Sequence, residues 1–114
     1  MTLSAAVSLE VVAGNKFEPR FTVTREGEVV DIGQMTPHFA LTDTRGTNTF
    51  ASTEDETAEA TITDGEAGEF TTTVAGDITA DLLGTYRWQA DLEDALGDVE
   101  TVARGFVTFI QDLI

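Results

Sequence analysis

A run of strict alternation constrains this chain more than any other feature. Residues 81–110 read DLLGTYRWQADLEDALGDVETVARGFVTFI, and in the first half Tyr86, Trp88, Ala90 and Leu92 interleave with Thr85, Arg87, Gln89 and Asp91. A period of two turns one face of a strand to a core and the other to water; a helix has no use for it. A polar stretch centred on Gly97-Asp98 follows, and the β-rich residues 99–110 return. The spacing predicts a hairpin whose inner face carries the only Trp and the only Tyr of the protein. In the returning strand the apolar phase slips near Arg104-Gly105. That predicts a β-bulge at Gly105, with Val102 and the pair Phe106 and Phe109 used on either side of the slip.

The rest of the chain repeats this grammar. Residues 6–13 place Val7, Leu9 and Val11 on one face of a first strand. Residues 17–25 put Phe17, Pro19, Phe21 and Val23 inward and Glu18, Arg20, Thr22 and Thr24 outward; Pro19 has no N–H to give a ladder, so this strand lies at an edge or carries a bulge. After a turn at Glu26-Gly27-Glu28 and a short extended piece at 29–33, residues 36–43 set Phe39 and Leu41 on one face. Thr44-Arg45-Gly46 turns the chain, and 47–52 pair back as an edge strand. The acidic residues 53–59 read as a mobile surface loop. Strand character resumes at 60–63, residues 64–68 form a turn, and 69–75 bring Phe70, Thr72 and Val74 together. Residues 78–83 are too short for more than a helical turn across the open end of a sandwich.

With 114 residues, the chain makes one domain, 1–114. About 7–9 short strands, no long helical period and turn residues between them predict an all-β fold, an antiparallel β-sandwich. Gly84-Thr85-Tyr86, just ahead of the Trp strand, has the form of a tyrosine corner, whose phenol hydroxyl ties a crossover to the sandwich. Cysteine is absent, so the sandwich is Ig-like without the immunoglobulin disulfide.

Charge narrows the function. Six basic against 21 acidic residues give a net charge of −15. Such a surface repels nucleic acid and anionic membranes, so neither is expected as a partner. It suits solubility, or an acidic face docking on a basic partner. No basic leader or long apolar run opens residues 1–14, and no window reaches the ~20 apolar residues of a membrane-spanning helix. A signal peptide is not expected, and the lack of cysteine points to folding in a cytoplasm.

Catalytic signals are weak. A nucleophile needs an activating base, and the only His is His38, between Pro37 and Phe39. There is no Gly-x-Ser-x-Gly elbow and no phosphate-binding glycine loop. Asp91, Glu93, Asp94 and Asp98 crowd the hairpin turn, but Ala95 and Leu96 break the spacing of a Ca²⁺ loop. Glu54, Asp55, Glu56 and Glu59 form a second cluster. Both read as solvated turns. No enzyme, cofactor or metal is expected. The aromatic residues fall mostly on inward positions, with Phe50 and the C-terminal end as exceptions. Phe106, Phe109, Ile110, Leu113 and Ile114, together with residues 1–6, are the expected protein-docking surface.

The order FEPRFTVTREGEVVDIG, HFALTDTRG, GEFTTTV and ITADLLGTYRWQADLEDALGDVETVARGFVTF resembles a recurrent tailed-phage module, the Ig-like N-terminal domain of the lactococcal phage baseplate upper protein. Val30-Asp31-Ile32 is similar to that family's hydrophobic–Asp–hydrophobic piece. Residues 82–88, LLGTYRW, are similar to its Leu–x–Gly–x–Tyr–x–aromatic segment, and Gly105-Phe106-Val107 to its final strand. The resemblance spans nearly the whole chain and brings no catalytic residues. It implies a non-enzymatic structural protein of a bacteriophage virion, assembled in the host cytoplasm and docked on other virion proteins in a symmetric assembly. Tail baseplate and capsid decoration stay open. Larger members continue into receptor-binding or fibre-attaching parts; the end at Ile114 implies a stand-alone component. The competing expectation is a small carbohydrate- or receptor-binding module, which needs aromatics such as Phe50 or Trp88 exposed in a groove. A hydrolase would need His38 joined to two carboxylates in a pocket.

Overall fold

A computed structural model describes residues 3–4 and 9–111. The strands in chain order are β1 (Leu3–Ser4), β2 (Leu9–Val12), β3 (Arg20–Thr22), β4 (Thr24–Arg25), β5 (Glu28–Val29), β6 (Thr36–Thr42), β7 (Thr49–Ser52), β8 (Glu59–Asp64) and β9 (Glu69–Thr73). A four-residue helix, α1 (Gly76–Thr79), precedes β10 (Gly84–Glu93) and β11 (Val99–Ile110). A five-stranded sheet, β2-β11-β10-β6-β7, packs over a three-stranded sheet, β3-β9-β8, and a ribbon, β1-β4-β5, lies at the side. The all-β sandwich therefore stands. Among the described residues every strand pairing is antiparallel except that of β2 with β11, which run side by side in parallel.

The core follows the alternation. Phe17, Phe21 and Val23 are buried, as is Pro19, and Arg20 and Thr22 point to water. Pro19 sits where its missing N–H costs nothing: β3 is an edge strand, and the Pro19 carbonyl accepts the Thr72 N–H at 3.0 Å. Phe21 stacks on Phe70 at 4.8 Å and meets Trp88 across the sandwich at 5.4 Å; Phe17 bridges to Phe39 and Phe109. Such tilted pairs add about 0.5–1.5 kcal/mol each beyond the area they bury. Trp88, Phe70, Ile32 and Leu41 are wholly enclosed.

The bulge lies elsewhere than expected. Ala90 pairs with Ala103 and Asp91 with Thr101, so Val102 is the extra residue. Val102 and Ala103 are both buried, which a regular strand cannot achieve for neighbours. Gly105 stays in register, opposite Trp88, where it presents no side chain to crowd the indole. Below the bulge Ala103, Val107 and Phe109 face the core and Arg104, Phe106 and Ile110 face out. A second irregularity leaves Phe50 without a partner on β6 and turns it edge-on to Tyr86 at 5.1 Å.

Turns close as their residues dictate. Glu26 (φ 53°) and Gly27 (φ 83°) both take positive φ in a two-residue link between β4 and β5, the primed geometry that matches strand twist. Residues 53–58 form a hydrogen-bonded turn rather than a loose loop, and Glu59 already opens β8. The Thr57 and Ala58 N–H groups donate to the Ser52 carbonyl, the Ser52 N–H donates to Thr57 Oγ1, and Ala58 is buried. The helical turn begins earlier than expected, at Gly76. It is anchored by buried Thr79, whose Oγ1 donates to the Asn15 carbonyl at 2.6 Å and accepts from the Gly14 N–H at 3.1 Å. The phenol of half-buried Tyr86 donates to the Leu83 carbonyl at 3.2 Å, the tie expected of a tyrosine corner.

The β6–β7 turn hangs on one carboxylate. Asp43 accepts from the N–H of Thr47, Arg45 and Asn48 and from Asn48 Nδ2. These bonds, the Thr47 N–H above all, hold its pKa below the usual aspartate value. A group favoured in its charged form stabilises the fold above its unfolded pKa and loses that contribution as pH falls through the lower folded value. Asp43→Ala is therefore expected to lower the melting temperature at neutral pH. The gap to the unmodified protein should narrow as acid protonates the carboxylate. Thermal melts followed by circular dichroism at neutral and at acid pH check it, and an equal gap at both would rule the turn contribution out.

Candidate functional site

The expected docking residues divide. On β11, residues three apart cannot share a face unless a bulge intervenes, and the bulge lies upstream at Val102. Phe106 and Ile110 are accordingly about half exposed (50% and 42%). Phe109 is 1% exposed, packed against Phe17 and Tyr86, and so is core rather than docking surface. Leu113, Ile114 and most of residues 1–6 lie outside the described residues, and of Leu3 and Ser4 only the backbone pairing of β1 with β4 is described.

The outer face of the five-stranded sheet can be read row by row from the register. Arg87 lies between Thr42 and Phe106, Gln89 between Ala40 and Arg104, Asp91 between His38 and Thr101, and Glu93 between Thr36 and Val99. Thr85 and Thr108, one row beyond Arg87, share a hydroxyl hydrogen bond at 3.1 Å. One half of this face is thus basic and aromatic, the other acidic. Arg45 stands near the basic half, since a Cβ on its neighbour Gly46 would lie 3.7 Å from an Arg87 terminal nitrogen. Among the described residues no carboxylate comes within 4 Å of Arg45, Arg87 or Arg104. Lys16 and Arg20, by contrast, both reach Glu18 at the surface, at 3.7 and 3.9 Å, contacts worth little in water.

His38 belongs to the acidic half. Its Nε2 lies 2.9 Å from Glu93 Oε1, and both side chains are more than a third exposed. Asp91, opposite His38 in the ladder, is engaged instead by Gln89 Nε2 at 3.1 Å. A shallow depression of about 500 Å³ runs beside these groups, lined by His38, Ala40, Thr53, Gln89 and Asp91 among others. His38 is thus joined to one carboxylate, not two. Asp94 is committed to shaping the hairpin turn: its Oδ1 accepts the N–H of Leu96 and of Asp98. Among the described residues no three His, Asp or Glu side chains converge in a way that would hold a metal ion.

The aromatic expectation also divides. Trp88 is fully buried and unavailable to a ligand; Phe50 is 40% exposed at the end of the sandwich, edge-on to Tyr86. Nothing in the local sequence marks Arg87 as a neighbour of Arg104 and Phe106. Arg104 and Phe106 share parity on one strand, a signal that was legible, but their adjacency to Arg87 depends on where the bulge falls.

Fold and surface together define a class: an all-β sandwich that presents a charge-divided sheet face. No protein-family model matches the chain, and no curated protein does. Among the described residues no helix is long and apolar enough to cross a membrane.

Proposed function

We propose that this chain is a non-catalytic structural component of a bacteriophage virion, docked on another virion protein at the tail baseplate or as a capsid decoration. The support is the position of the residues that carry the family resemblance. Ile32 is fully enclosed while Asp31 Oδ1 accepts the Gly33 N–H at 2.9 Å. Leu82 and Trp88 fill the core and Tyr86 makes the corner hydrogen bond. Phe106 faces out from the last strand, 50% exposed next to buried Val107, as a docking residue must. These residues act as a scaffold, and a polar-aromatic sheet face suits contact with a protein surface.

Quantitative mass spectrometry of purified particles tests the reading. The chain is expected at fixed stoichiometry in particles that have been stripped of soluble protein. Many copies per particle place it on the shell and a few place it in the tail. Its absence from every particle fraction overturns the proposal. A second reading, a small carbohydrate- or receptor-binding module, draws on Phe50, exposed beside Tyr86. Glycan-array binding lost in Phe50→Ala would favour it.

A further inference from the structure

The charge division of the outer sheet face has a geometric consequence. Along β10 the outward positions run Arg87, Gln89, Asp91, Glu93, and β11 runs beside them as Phe106, Arg104, Thr101, Val99. A two-fold axis lying in the plane of contact, across the strands at the level of Ala90, reverses strand direction and keeps each strand over itself. To within the twist of the sheets, it sets Arg87 over Glu93 of a second copy and Arg104 beside Asp91. It also sets Phe106 over Val99, which is 58% exposed. Positive meets negative and apolar meets apolar, twice over, as an isologous contact requires.

We propose that this face is a self-complementary interface and that its occupant is a second copy of the same chain. The proposal does not depend on the virion reading. Three arginines with no carboxylate partner among the described residues, gathered on one side of a chain of net charge −15, argue for an acidic occupant. The acidic half of the same sheet supplies one at matching spacing. Arg and aromatic residues are also the types that anchor protein interfaces. Nucleic acid does not fit, because the acidic half would repel it. The face is about 33 Å long and roughly 14–19 Å wide, on the order of 500–600 Å² a side against the ~800 Å² of a standard interface. The dimer is therefore weak and concentration-dependent, and the total charge of each copy makes screening salt a condition of assembly.

Sedimentation equilibrium, from about 10 μM to about 1 mM at physiological and at molar salt, tests it. A monomer–dimer equilibrium is expected in at least one salt. R87E/R104E makes the face wholly acidic and D91K/E93K makes it wholly basic. Each variant alone is expected to weaken association at least tenfold, and an equimolar mixture of the two to restore it. If either pair compromises folding by circular dichroism, Phe106→Glu serves as the single-site disruptor. A monomer under all conditions, a dimer indifferent to these substitutions, or variants that fail to combine would each overturn the proposal.

Discussion

Trp88→Ala is expected to cost about 3–5 kcal/mol, the range for deleting a fully enclosed aromatic side chain. Trp88 is 0% exposed and stands at the centre of the sandwich, with Phe21 at 5.4 Å and Phe39 at 6.3 Å. Its ladder neighbours are Gly105 and Leu41. Neither can collapse into the vacated space, since glycine has no side chain and Leu41 is already packed. Domains of this size hold about 5–15 kcal/mol in total, so the variant sits near the edge of folding. At roughly 4 °C per kcal/mol the melting temperature should fall by about 12–20 °C. Trp88→Phe should be far milder. The indole Nε1 is buried with no hydrogen-bond partner among the described residues. Phenylalanine removes that unpaired donor, a relief of about 1–3 kcal/mol that offsets much of the lost contact. Chemical denaturation of the three proteins checks the contrast. The reading of an enclosed, unpartnered indole fails if Phe costs as much as Ala, or if iodide readily quenches the single tryptophan of the unmodified protein.

What was legible follows from which signals are local. Alternation is local, so Phe17, Pro19, Phe21 and Val23 were assigned inward correctly even though the stretch divides into a bridge and two short strands. The tyrosine corner was legible for the same reason: Tyr86 and Leu83 are three residues apart. The bulge was not. Glycine is a common bulge residue and drew the slip to Gly105, but that glycine is occupied by a different demand, room opposite Trp88. The slip fell instead between two small apolar neighbours, Val102 and Ala103, which both gain burial from it. Phe109 was grouped with the docking surface because it belongs to the apolar run at the C-terminal end, but it has the opposite parity to Phe106 and Ile110 and is 1% exposed in the core. The order of residues 53–58 was also hidden, because it rests on hydroxyl groups of Ser52 and Thr57 rather than on apolar content. The charge-divided sheet face needed the register of three strands, which no window of sequence contains.

Gly68→Ala is the second large effect, and its size comes from two separable sources. Gly68 holds φ at +71°, which costs an L-residue about 1–2 kcal/mol. It is also buried where the β8–β9 turn docks on the ribbon. Its carbonyl accepts the Val23 N–H at 2.8 Å, and a Cβ would lie 2.8 Å from both the Val23 and the Val30 carbonyl oxygens. Those two oxygens are backbone, and the Val23 carbonyl already receives the Val30 N–H at 3.1 Å, so neither can swing aside. Overpacking of this kind adds about 1–3 kcal/mol, for a total of about 2–5 kcal/mol. Gly97→Ala separates the two sources. Gly97 also has positive φ (87°), but a Cβ there would meet nothing within 4 Å, so only the conformational cost remains. Urea midpoints for the two variants should differ by the steric part alone. Equal midpoints would mean that the ribbon yields to the added methyl, and that the 64–68 turn rests on the β4–β5 ribbon more loosely than its hydrogen bonds imply.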